Sequence, residues 1–245
     1  MKKILIPLAV AAALTLPSCE SFLTQENPNK IESGFYFKDE SSLEIYTNGF
    51  IRSFATSIKS FIDGDKNADT HSWDGQAAYF MDNYTAEDAA NWSTSNWSQL
   101  RSINYYLDNM RKASASDAVL DHYEGVGRFF RAMFYFSKMK TFGAVPWYDT
   151  TIDPTDKDAL YKGRDSREFI ASKILEDLNY ACDNAPDVNP SDKYLFSKAF
   201  AHGLRARVYA EKQRQDWNQV INDCVAVEGM GFSLVDNYGD LWGYN

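Results

Sequence analysis

The chain has 245 residues and sets 25 lysines and arginines against 34 acidic residues, a formal charge of −9. So acidic a chain, without a basic stripe, excludes nucleic acid as a partner, because phosphate backbones are held by clustered Lys and Arg. Aromatic residues make up 15% of it, more than its core can absorb, so some are expected to line a surface.

The N-terminus has the layout of an export signal. Lys2 and Lys3 are positive, Ile4 to Leu16 is apolar, and Ser18 is small. A helix of that apolar length rises only about 20 Å, too short for a hydrocarbon core of about 30 Å. Leu16-Pro17-Ser18-Cys19 resembles the lipobox of bacterial lipoproteins, in which the signal is cut before a cysteine bearing a diacylglycerol. Residues 1–18 are therefore expected to be a lipoprotein signal peptide and Cys19 the lipidated tether, since two or three acyl chains at one residue anchor stably. Loss of Lys2 and Lys3 takes the formal charge from −9 to −11. Residues 19–38 are polar, contain Asn27-Pro28-Asn29, and read as an extended tether. Residues 39–245 form the folded domain.

Its first helix is marked by Leu43, Tyr46, Phe50, Phe54 and Phe61, with Asp39 or Ser41 as N-cap. From Asp63 to about Thr94 no period is sustained, and an irregular stretch of that length in a domain is often functional. A second helix is predicted over Ser95–Ala113, with Trp97, Leu100, Ile103, Leu107 and Met110 on its apolar face. A third, Asp117–Phe142, turns Val119, Tyr123, Val126, Phe130, Met133 and Phe134 inward and stops at Gly143 and Pro146. The fourth opens on Asp165-Ser166-Arg167-Glu168, read as a capping box led by Asp165, and buries Phe169, Ile170, Ile174, Leu175, Leu178 and Cys182. Two more follow, Ser197–Gln215 and Trp217–Glu228, with Gly229 as the C′ residue.

No strand pattern has comparable strength, so the fold is predicted to be all α. Arg131-Ala132-Met133-Phe134-Tyr135 and Arg205-Ala206-Arg207-Val208-Tyr209 share R-A-x-x-Y, 74 residues apart. That interval is close to two tetratricopeptide units of about 34 residues plus a loop, with Ala for close approach and Tyr to fill the gap between hairpins. Cys182 and Cys224 continue the apolar faces of their helices, either as buried thiols or as a disulfide.

The stretch GRFFRAMFYFSKMKTFGAVPWY, Gly127 to Tyr148, resembles the signature of the SusD/RagB outer-membrane lipoproteins, a long aromatic helix with R-A-x-x-Y-F and then F-G-x-V-P. Further pieces follow in that family's order: Trp97-Ser98-Gln99-Leu100 with Ile103-Asn104, Arg164 and Arg167 with ILEDLNYA, and AFAHGLRARVYAEKQRQDWNQVI. The resemblance implies a SusD-like helical domain with long irregular loops. It also implies a surface receptor without catalysis, which captures oligosaccharides, or peptides in some branches, and lies over a SusC-like TonB-dependent transporter in the outer membrane. Family members are about twice this length, so the chain reads as an N-terminal half, and apolar surface meant for the other half would be exposed, favouring association.

The residues agree with a binding protein and not an enzyme. His71, His122 and His202 are scattered, and no H-E-x-x-H, paired-cysteine, G-x-S-x-G or phosphate-loop pattern occurs, so no cofactor is implied. Asp63, Asp65, Asn67, Asp69 and Asp74 fit a calcium-loop spacing, but Ala68 stands where the sharp turn needs Gly, and the loop is read as solvated. Sugar binding needs an aromatic face flanked by amides or carboxylates. The Asp63–Asn96 stretch offers Trp73, Tyr84 and Trp92 as faces, with Asn83 and Asn96 among the polar neighbours. Ligand residues in the family come from the loop before the helix that Trp97 opens, which makes Trp92 the first choice, while Trp97 itself reads as core. The competing reading is a helical-repeat envelope scaffold without a small ligand. An exposed tryptophan in this loop favours the receptor.

Overall fold

The computed structural model describes residues 36–54, 92–191, 195–211 and 214–237. The chain divides into two units, Met1–Tyr36 and Phe37–Asn245. Of the first, only Tyr36 is described. The signal peptide, Cys19, the tether up to residue 35 and nearly all of the Asp63–Thr94 stretch, with Trp73, Asn83, Tyr84 and the acidic loop, lie outside the described residues. The end of the predicted tether is not extended linker, because Phe37 is buried in the core and the Lys38 carbonyl accepts from the Ser114 amide.

The second unit is all α. The helices among its described residues are α1 (Glu40–Phe54), α2 (Thr94–Asn109), α3 (Asp117–Phe142), a short α4 (Lys157–Leu160), α5 (Arg167–Asn184), α6 (Lys198–Ala210) and α7 (Trp217–Gly229). Of the two N-cap candidates of α1 it is Asp39 that caps, its carboxylate accepting from the Ser42 amide at 3.0 Å. α2 runs on through a 3-10 turn at Met110–Lys112, close to the predicted end. Ser116 caps α3 by accepting from Val119, and Gly143 ends it at φ 70°, a left-handed conformation that glycine takes without a Cβ clash.

α3 is the centre of the unit. It packs against α1, α2, α5 and α6, and it buries residues around most of its circumference from Val126 to Met139. Leu120, not Val119, takes the buried place in its first turns. Gly127 permits the close approach to α2, since a Cβ there would lie 2.7 Å from Leu107 Cδ2 and 3.0 Å from the Tyr106 ring. Around this contact the aromatic rings pack edge to face: Tyr106 meets Phe37 at 5.7 Å and Phe50 at 5.5 Å. After α3 the helices form two antiparallel pairs, α3 with α5 and α6 with α7, and α5 also packs on α6. The R-A-x-x-Y echo marks the first helix of each pair.

Five expectations are corrected. Ser166, not Asp165, caps α5 by accepting from Phe169, because Asp165 is turned toward the Trp147 amide at 2.7 Å. Phe169 is 41% exposed, lying outside the buried stripe of Ile170, Ile174 and Leu178 and under the Lys173 ammonium. α6 ends at Ala210, where the chain turns through Gln215 at φ 49°. Gly229 is still helical, and the left-handed residue is Gly231 at φ 86°. Cys182 and Cys224 are free thiols; Cys182 is buried, which pushes its pKa up to about 12, but Cys224 is exposed on the outer face of α7.

That outer face is apolar. Trp217, Ile221 and Val225 recur every fourth residue and are 55%, 58% and 59% exposed. A stripe of this kind drives association, so the chain is expected to sediment as concentration-dependent oligomers. Ile221→Lys should move it toward monomer with little change in melting temperature. Unchanged sedimentation of that variant would show that the stripe does not drive association.

Candidate functional site

Trp92 stands just before α2, and the helix start fixes where it stands. Ser93 is the N-cap, and Asn96 reaches back so that its Oδ1 accepts from the Ser93 amide at 3.1 Å, the return arm of a capping box. Asn96, a candidate ligand residue, thus holds the turn that carries Trp92. The adjoining ring, Trp97, is half-buried against the core as expected, edge-on to Phe134 at 5.5 Å and Tyr148 at 6.3 Å.

The other wall comes from the segment after α3, where side chains satisfy most of the backbone. Tyr135 Oη accepts from the Tyr148 amide at 2.6 Å, and Asn104 Nδ2 donates to the carbonyls of Tyr148 and Thr150 at 2.9 and 3.1 Å. Lys162 Nζ donates to the Trp147 carbonyl and pairs with Asp165, both at 2.9 Å. Burial alone would raise the Asp165 carboxyl, but the Trp147 amide and Lys162 more than offset it and hold it below the usual carboxylate range. A single antiparallel bridge, Val145 to Asp165, then returns the chain beside the segment.

That return places Arg164 over Trp92, its guanidinium carbon 4.6 Å from the ring centroid. Trp92 is 37% exposed and packs edge-on to Trp97 at 5.3 Å and Phe142 at 4.8 Å. The buried Lys138 ammonium sits 5.3 to 5.7 Å from the Phe134, Trp97 and Phe142 rings. Burial pulls the Lys138 pKa below the ordinary lysine value. The result is an aromatic platform, partly open to solvent, with the Arg164 guanidinium over Trp92 and the Lys138 ammonium against the neighbouring rings. Of the predicted site residues, the structure brings Trp92 and Asn96 together. The sequence reading missed Arg164 and Lys138 as neighbours of Trp92, because their approach depends on the Val145–Asp165 bridge and on the length of α3.

Among the described residues no catalytic constellation accompanies this platform. His202 bonds Asp223 and His122 lies against Tyr123, and among the described residues there is no group of three side chains able to hold a metal.

Comparison with known proteins gives a consistent result. The SusD-like family description, starch-binding and associating with the outer membrane, matches residues 21–210. No curated protein matches the chain. Among solved structures, a SusD-like protein from Bacteroides fragilis superposes with a TM-score of 0.71 at 22% identity, over 86% of this chain and 42% of that one. A laminarin-binding SusD-like protein gives 0.67 at 20% identity, over 84% and 48%. B. fragilis NanU gives 0.67 at 19% identity, over 90% and 48%. The chain spans less than half the length of each of these structures, and at such identities they establish the fold.

Proposed function

Because the chain belongs to the SusD-like family, whose members bind carbohydrate and are not enzymes, we propose that it is a cell-surface receptor that captures oligosaccharides and passes them to a TonB-dependent outer-membrane transporter. The observation that carries the reading is Trp92, a partly exposed indole held at a capped helix start, beside a rigid wall. A sugar's C–H face stacks on such a ring, and amides and charged groups at its rim bond the hydroxyls. Trp73, Asn83, Tyr84 and Asn96 remain candidates to complete the site. Lipidation at Cys19 would hold the receptor at the membrane, facing outward. The family's association with the outer membrane supports that placement, and among the described residues no helix is long and apolar enough to cross a membrane.

Affinity electrophoresis of the chain from Ser21 onward against a panel of polysaccharides tests the proposal. At least one glycan should retard it, and Trp92→Ala should abolish the retardation in protein that circular dichroism shows to be folded, at some cost in melting temperature because the ring packs on Trp97 and Phe142. A folded chain that no glycan retards would turn the reading toward a peptide receptor or a scaffold for the transporter.

A further inference from the structure

The cover on Trp92 bears on which sugar is taken. A bare indole accepts any pyranose face, but this one carries the Arg164 guanidinium over its ring. Arg164 is exposed, and none of its N–H groups finds an acceptor among the described residues. The adjacent carboxylate, Asp165, does not compete for it, being committed to the Trp147 amide and to Lys162.

Resting on the glycan-receptor reading above, we propose that the Trp92 site selects acidic saccharides, with Arg164 taking the carboxylate of a uronic-acid residue whose ring lies against the open part of Trp92. A stacked guanidinium is ordered before the ligand arrives, so little freedom is lost when its fork meets a carboxylate. A neutral sugar must either displace Arg164 from the ring, losing the cation–π contact, or bind beside it and leave its donors to water. An acidic sugar keeps both contacts. The family is described by starch, a neutral glucan.

Calorimetric titration with polygalacturonate and alginate fragments, beside amylose and mannan fragments, tests the assignment. The acidic fragments should bind more tightly than the neutral ones, with affinity that falls as salt rises. Arg164→Gln should weaken acidic binding about tenfold or more, and Arg164→Lys should restore part of the loss. Lys173→Gln, which removes an equal charge from a Glu176 pair on α5, should change nothing. Arg164 is exposed, so these variants should melt with the parent. Neutral fragments bound at least as tightly as acidic ones, with affinity indifferent to Arg164→Gln, would overturn acidic selectivity and leave the receptor standing. Folded protein that binds neither kind would overturn the receptor reading, and the selectivity with it.

Discussion

Arg131→Met is expected to lower the unfolding free energy by about 3–5 kcal/mol, read from the shift in urea midpoint by circular dichroism. Arg131 and Asp177 are 7% and 2% exposed and face each other between α3 and α5. Nε and Nη2 of Arg131 donate to the two carboxylate oxygens, both at 2.7 Å, while Nη1 donates to the Asp149 carbonyl at 2.9 Å. Burial pushes the Asp177 carboxyl up, and Arg131 and Arg128 pull it back. Removing Arg131 alone strands a buried carboxylate, because Arg128 stands 3.7 Å away and is already paired to Glu124 at 2.6 Å. The cost is that of the orphaned charge more than of the lost attraction. The double variant Arg131→Met with Asp177→Leu should therefore recover most of the loss, since a buried pair exchanged for apolar groups of similar volume is often neutral. A double variant as unstable as the single one would show that the Asp149 carbonyl, not the carboxylate, is the group left in need.

The same pair shows what the sequence could and could not disclose. Helical period announced the long helices of the described residues, because burial on one face repeats every three or four residues whatever the neighbour. It did not announce α4, which is a single turn, and it did not mark Asp177 or Asp223 as buried. Their partners lie 46 and 18 residues away on other helices, and only packing brings them together. Asp165 was misread for a related reason. Asp and Ser both cap helices, and the choice between them was made by the Trp147 amide, which no local pattern contains. The platform followed the same division. Trp92 was legible as an aromatic residue beside a helix start, whereas Arg164 and Lys138 reach it through a chain reversal and a packed helix.

The echo of Arg131 at Arg205 repeats the chemistry at the second pair of helices, but with a different consequence. Asp223 is the only buried residue of α7. His202 Nδ1 lies 2.7 Å from its Oδ1, and Arg205 reaches both oxygens at 2.6 to 3.1 Å while also donating to Asn179 at 2.9 Å. Between α3 and α5 the ion pair is one contact within a broad apolar interface, so its loss lowers the stability of the whole unit. On α7 only half-buried residues such as Val220, Ala226 and Val227 face inward beside Asp223. Asp223→Ala is thus expected to cost about 2–3 kcal/mol and to do so locally. Hydrogen exchange should show the α7 amides losing protection while those of α3 and α5 keep theirs, the signature of one element opening by itself. If protection falls evenly across α3, α5 and α7, the two helix pairs unfold as one unit, and the second ion pair stabilises the first.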